Sequence, residues 1–359
     1  MHRIANMLEL AAAQRLDAVA LVPGPNFFYL TGLSFHLSER PTVGLFPLEQ
    51  PPALILPALE AGKGTGFTLF PYTDAAGYET AFQQALTALQ LTGARLGVET
   101  RRMRLWEARI LERHAPQAQL LPADELLATQ RMSKEPQEIA TMRRAVQVAE
   151  DAFRAWLPQL HAGMTEKEAA ARLITALLTG GADSLAFAPI VASGPHGALP
   201  HAVAGDRAFQ PGDWIVVDWG AKVDGYDSDI TRMVTCGAPT GKLVEIHQLV
   251  CQANAAGRAA VRPGVTTGQV DAATRAVITA AGYGPAFMHR TGHGLGLEAH
   301  EPPYIMSGSG TELIPGMTFT IEPGIYLAGL GGIRIEDDVL VSATGVETLT
   351  TLSREPFII

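Results

Sequence analysis

A unit of helix, glycine and strand occurs twice in this chain, and that duplication limits the folds open to it. Gly163-Met-Thr165 opens one helical stretch and Gly264-Val-Thr266 opens another. Each stretch ends near a glycine at the same offset, 181 − 163 = 18 and 282 − 264 = 18. In the first copy Thr165 and Glu168 stand at capping-box spacing. A proline-glycine turn then leads into a strand, Pro211-Gly-Asp-Trp-Ile-Val-Val-Asp218 in one copy and Pro315-Gly-Met-Thr-Phe-Thr-Ile-Glu322 in the other. In both, an acidic residue stands seven positions after the proline, since 218 − 211 = 7 and 322 − 315 = 7. A period this long implies a duplicated half-domain rather than a solenoid. Two such halves would face each other across a pseudo-two-fold axis, each giving carboxylates to one shared centre.

The duplicated region leaves a separate stretch before it, and 359 residues is more than one compact core usually holds. The first 120 or so residues alternate apolar runs with helical patterns. Ala18–Val22, Val43–Pro47, Ala53–Leu56 and Leu96–Glu99 read as strands, and Tyr78–Leu91 and Arg104–His114 as helices. From Pro136 to about Leu160 a long amphipathic helix is expected, with Ile139, Met142, Val146, Ala149 and Phe153 at helical spacing. The domain boundary is expected between about 122 and 135, giving domains 1–125 and 126–359.

Composition narrows the function classes. Apolar residues at 47% and charged residues at 18% exclude a disordered chain. No window approaches the roughly 18 uninterrupted apolar residues of a membrane span, and Glu9, Arg15 and Asp17 interrupt any signal-peptide core. The net charge of −9, with no Lys/Arg run, disfavours nucleic acid as a partner. Cys236 and Cys251 are too few for a disulfide scaffold. A soluble cytoplasmic protein is the expectation.

The chemistry concentrates in two hairpins. Asp224-Gly225 supplies a turn signal inside Trp214–Val234. Opposed positions in a two-residue hairpin have a constant odd sum, and 218 + 229 = 447 is odd, so Asp218 and Asp229 project from one face, directly opposite or one pair diagonal. Two carboxylates that close repel unless a cation or a shared proton lies between them. The alternative for this hairpin taken alone, a solvated surface face, is the less favoured reading. The second half repeats the arrangement, with Glu322 ending a strand, a turn at Gly329–Gly332, and Glu336 in the returning strand. Alternation puts Arg334, Glu336 and Asp338 on one face and Ile333, Ile335 and Val339 on the other. A metal centre is the simplest common explanation for four acidic residues on matched hairpins. His289, His293 and His300, set among glycines, supply a nitrogen ligand. One nitrogen and four carboxylates form a hard set that suits Mn²⁺, with Co²⁺ or Zn²⁺ tolerated. Four carboxylates also balance two divalent ions, a known arrangement for hydrolysis. Other motifs fail: His300-Glu301-Pro302 lacks the second histidine of the helical zinc-protease pattern, and the glycine-rich runs have no phosphate-binding context.

At these residues the chain resembles the pita-bread metallopeptidases, the superfamily of prolidase, aminopeptidase P and methionine aminopeptidase. The resemblance covers roughly residues 136–359. It is carried by Asp218-Trp-Gly, Ser228-Asp229-Ile-Thr-Arg232, Gly292-His293-Gly-Leu-Gly-Leu, Thr320-Ile-Glu322-Pro-Gly324 and Arg334-Ile-Glu336-Asp, in the family's order. The N-terminal region resembles the creatinase-type domain of prolidases and aminopeptidases P, and Arg131-Met-Ser-Lys134-Glu135 resembles that branch's linker. The implied fold is α/β (α+β), a creatinase-like domain followed by a pseudo-two-fold catalytic domain. The resemblance implies that Asp218 binds one metal, His293 and part of Glu322 the other, and that Asp229 and Glu336 bridge them. Glu322 becomes a proton shuttle, His201 and His300 contact the substrate carbonyl, His289 lines the site, and Arg334 stands behind the ligands or against the substrate.

The substrate so implied is a peptide with proline in second position, whose tertiary amide has no N–H and calls for a dedicated pocket. A homodimer is implied as well. Many prolidases carry an arginine four residues after the equivalent of His300, where it helps hold a dipeptide's carboxylate; here that residue is Tyr304. Arg40 or His36, in a polar N-terminal loop, is the expected replacement. The leading expectation is a dipeptidase, with an aminopeptidase P as the alternative and a metal-free creatinase-like hydrolase or non-catalytic binding relative as a remote one. All five ligand positions are filled, which opposes the metal-free forms.

Overall fold

The computed structural model describes residues 2–359, which form two compact units dividing between Arg131 and Met132. In the first, helix α1 (His2–Ala13) leads into strand β1 (Ala18–Leu21), helix α2 (Pro25–Thr31) and strands β2 (Val43–Pro47), β3 (Ala53–Pro57) and β4 (Thr68–Tyr72). Helix α3 (Glu79–Ala88), β5 (Arg95–Val98), α4 (Leu105–His114), β6 (Gln119–Pro122) and α5 (Asp124–Met132) follow. The strands make one mixed sheet in the order β4-β3-β2-β1-β5-β6. Strands β1, β2 and β3 are buried at every position, which is why their sequences are apolar throughout rather than alternating. The division falls near the end of α5, within the interval 122–135 read from the sequence.

The second unit opens with the long helix α6 (Pro136–Trp156). Pro136 occupies its first turn, and Glu135 with Glu138 closes a capping box. Met142, Val146, Ala149 and Phe153 are buried along one stripe. Pro158 cannot donate into the helical ladder, so the last expected turn becomes a 3₁₀ turn at Leu157–Gln159. Phe153 stacks on Trp219 with centroids 4.6 Å apart, and Trp219 Nε1 donates to Ala149 O at 2.9 Å.

The duplication holds at the level of backbone detail. The first half comprises α7 (Glu166–Thr179) and strands β7 (Ser184–Leu185), β8 (Ile190–Ser193), β9 (Trp214–Trp219), β10 (Ala221–Val223), β11 (Tyr226–Asp227) and β12 (Ile230–Thr235). After α8 (Lys242–Ala260) come α9 (Thr267–Ala280) and strands β13 (Gly292–Gly294), β14 (Glu301–Ile305), β15 (Thr318–Ile321), β16 (Gly324–Leu327), β17 (Gly331–Arg334), β18 (Asp337–Val341) and β19 (Val346–Thr348), and the short β20 (Phe357–Ile358) closes the chain. Thr165 with Glu168 and Thr266 with Gln269 form equivalent capping boxes. Each capping threonine also makes an isolated bridge, Thr165 to Ala208 and Thr266 to Glu312. The turn glycines Gly212 and Gly316 share φ values of 89° and 90°. Two larger sheets, β20-β12-β9-β8 and β14-β13-β15-β18-β19, and two smaller ones, β11-β10-β7 and β16-β17, result, and together they present matched hairpins to one centre.

Candidate metal centre

The first hairpin turns at Asp224 and Gly225, both with positive φ (46° and 85°), the conformation that a two-residue turn matching the strand twist requires. Asp218 pairs directly with Thr231, so Asp229 sits one pair diagonal to Asp218 on the same face. The hairpin narrows between them, where a Cβ on Gly220 would lie 1.9 Å from Ser228 O. In the second hairpin Ile321↔Asp337 and Gly324↔Arg334 keep one register and bring Glu322 level with Glu336. A single bridge, Thr231↔Glu336, joins the two hairpins. Across that seam Thr231 Oγ1 donates to Glu336 Oε2 at 2.5 Å, and the Asp229 N–H donates to Asp338 Oδ2 at 3.1 Å.

His293 enters from β13, which only glycines can flank here. A Cβ on Gly292 would lie 1.8 Å from Thr320 O, and one on Gly294 2.3 Å from Pro302 O. His293 Nδ1–H donates to Gly294 O at 3.2 Å, a partner that leaves the lone pair on Nε2. That nitrogen is 3.3 Å from Glu322 Oε1 and 3.6 Å from Asp229 Oδ2. Ligand atoms fall within 4.8 Å of one another in three overlapping groups: Asp218, Asp229 and Glu336; His293, Glu322 and Glu336; Asp229, His293 and His300.

The electrostatics of this cluster call for cations. Burial first, and then the neighbouring carboxylates, push Asp229 and Glu336 well above the usual range. Burial also raises Glu322 to about 8, although Arg334 opposes the rise. His293 is driven well below its ordinary value by burial and by His300, so it is neutral at pH 7. Asp218 Oδ1 is buried with no hydrogen-bond partner, a costly state that a bound cation would relieve. Oxygen donors around one neutral imidazole fit divalent ions.

The other expected site residues divide into two groups. His300 packs edge-on to His293 with centroids 4.0 Å apart, and the exposed His201 follows Pro200, whose carbonyl accepts from Arg334 Nη1 at 3.1 Å. Arg334 is buried behind the carboxylates, where it donates to Asp218 Oδ2 at 2.6 Å, Thr231 Oγ1 at 3.0 Å and Tyr326 OH at 2.8 Å. His289, expected to line the site, has both ring nitrogens engaged: Nδ1 with Arg290 O at 2.8 Å and Nε2 with Tyr326 OH at 3.0 Å. Burial lowers it to about 4, so it is neutral and accepts the tyrosine proton. Arg40, expected to hold a substrate carboxylate, is instead held by Asp74 in two bonds of 2.9 and 2.8 Å and by Glu39 at 2.6 Å within the N-terminal unit. His36 is exposed in the same unit. Tyr304 lies opposite His293 on β14.

Tyr326 and Thr231 went unassigned in the sequence because nothing local marks them. Asp337 did leave a signal, being an acid at an apolar-face position of its strand, where burial requires charge partners.

Residues 140–343 match metallopeptidase family M24. The chain belongs to that family. Residues 3–133 match the creatinase/prolidase N-terminal domain, so the protein is a metal-dependent peptidase with a creatinase-like domain ahead of a pita-bread catalytic domain. It is 33% identical to the Xaa-Pro dipeptidase of Pyrococcus horikoshii over 356 residues, 99% of this chain and 98% of that protein. It is 38% identical to the probable dipeptidase PepE of Mycobacterium tuberculosis over 370 residues, covering 99% and 96% of the two chains. A solved dipeptidase structure from Pyrococcus horikoshii superposes with a TM-score of 0.96 at 36% identity, covering 99% of this chain and 100% of that one.

Proposed function

We propose that this enzyme is an Xaa-Pro dipeptidase whose Asp218, Asp229, His293, Glu322 and Glu336 hold two divalent ions, Mn²⁺ by the hardness of the donor set. The observation that carries the metal assignment is the convergence of these five side chains, with a buried, unpartnered Asp218 Oδ1 among them. The substrate assignment is supported by full-length similarity to proteins named as Xaa-Pro dipeptidases. We further propose a cytoplasmic enzyme, as its composition suggests, and a homodimer, as the family resemblance implies.

Such ions supply an activated water and polarise the scissile carbonyl. The protein's own part is positional. Arg334 fixes one Asp218 oxygen and leaves the other free, and Thr231 holds Glu336 across the seam. His300 and His201, by the family resemblance, would donate to the developing oxyanion. Glu322, which the family resemblance makes the proton shuttle, would carry a proton toward the leaving proline nitrogen. Hydrolysis of Ala-Pro and Ala-Pro-Ala by metal-free protein, with and without Mn²⁺, tests the proposal. Mn²⁺-dependent cleavage of Ala-Pro in preference to the tripeptide supports it; preference for the tripeptide makes the enzyme an aminopeptidase P, and cleavage of neither removes the Xaa-Pro assignment.

A further inference from the structure

The geometry points to Arg290 as the residue that reads the carboxylate of the substrate's C-terminal proline, with the Tyr304 ring as its platform. This inference rests on the Xaa-Pro dipeptidase reading. Tyr304 is the cross-strand partner of His293, and paired residues of adjacent strands project from the same face. The tyrosine ring therefore stands beside the candidate metal centre. Arg290 precedes His293 by three residues, and its guanidinium lies over that ring with Cζ 4.5 Å from the centroid. A guanidinium held over an aromatic face keeps its N–H donors in its own plane, free to bond at its outer edge. That edge is the fork geometry a carboxylate accepts in two bonds.

Arg290 is also uncommitted. It is half-buried, yet no ion pair or side-chain hydrogen bond engages its guanidinium among the described residues. Its neighbours differ in this respect. Arg334 is spent on Asp218, Thr231 and Tyr326, and Arg275 on Asp271 and the carbonyls of Phe287 and His289. An arginine at position 304 would put its cation on β14. Here the aromatic ring occupies that strand, and the cation comes from the segment leading into β13.

The test compares Ala-Pro with its C-terminal amide, and proline with prolinamide as inhibitors, in the Mn²⁺-loaded wild type, Arg290→Ala and Arg290→Lys. Losing a charge-assisted pair should raise KM for Ala-Pro about 10- to 100-fold more than KM for the amide. Inhibition by proline should weaken in Arg290→Ala while inhibition by prolinamide changes much less. Arg290→Lys should recover part of the difference, because it restores the charge without the fork. Equal losses on acid and amide, with wild type cleaving Ala-Pro, would overturn the Arg290 assignment and leave the dipeptidase reading standing. Wild type that cleaves neither substrate would overturn the dipeptidase reading, and the Arg290 assignment with it.

Discussion

Asp337→Asn should destabilise the catalytic unit severely, although the residue points away from the metal centre. Asp337 is fully buried. It accepts from Arg232 Nη2 at 2.9 Å, Arg354 Nε at 2.8 Å and Nη2 at 3.0 Å, and Thr350 Oγ1 at 2.7 Å. Burial alone would raise its pKa, but Arg232 and Arg354 outweigh it and bring the value down from 3.8 to about 2. That depression corresponds to about 2 kcal/mol of stability. Because the folded value is depressed, this stability is present above pH 4 and is lost as pH falls through 2; at neutral pH it is complete. The substitution also strands Arg232, itself fully buried, and breaking a buried pair in this way costs about 3–5 kcal/mol. At about 2–4 °C per kcal/mol for a unit of this size, Tm should fall by about 6–20 °C. Calorimetry at pH 7 in chelator, which removes metal from the comparison, is the assay. A fall below about 2 °C would refute the reasoning.

Other consequences follow from the same geometry. Gly292→Ala should cost at least the upper end of the usual overpacking range, about 3 kcal/mol, because its Cβ would meet Thr320 O at 1.8 Å; a Tm within about 2 °C of wild type would contradict that contact. The metal-free protein should lose stability as pH rises from 4.5 to about 8 and level off above, because burial raises Glu322 from the first value to the second and the folded state alone holds that proton in between. Mn²⁺ should flatten that dependence and release protons on binding below pH 8, and calorimetry in two buffers of different ionisation enthalpy reads the protons directly. His300→Ala should lower kcat about 10²-fold or more, as loss of an oxyanion donor does, with metal content by elemental analysis unchanged; loss of metal would make His300 a ligand, as its grouping with Asp229 and His293 allows.

Much of this was readable from residue order because the governing forces are local. The Asp224-Gly225 turn sets the register that leaves Asp218 and Asp229 diagonal on one face, and alternation alone puts Glu336 and Asp338 together. What could not be read is pairing across long separations. Nothing in Ser34–Pro41 announces that Asp74 will pair with Arg40, because that pairing spans 34 residues of sequence. Arg290 escaped notice for the opposite reason: its meaning depends on Tyr304, which only the β13–β14 register places beside it. The capping box at Thr266 was within reach of sequence reasoning, since Gln269 serves there as Glu168 does at Thr165.

The most direct test of the account is the metal stoichiometry of Asp229→Ala beside wild type, measured by equilibrium dialysis against Mn²⁺ with activity on Ala-Pro read from the same samples. Asp229 stands in two of the three ligand groups. The account predicts two ions per chain in wild type, fewer than two in the variant, and no measurable turnover. Two tightly held ions and retained activity in Asp229→Ala would contradict it.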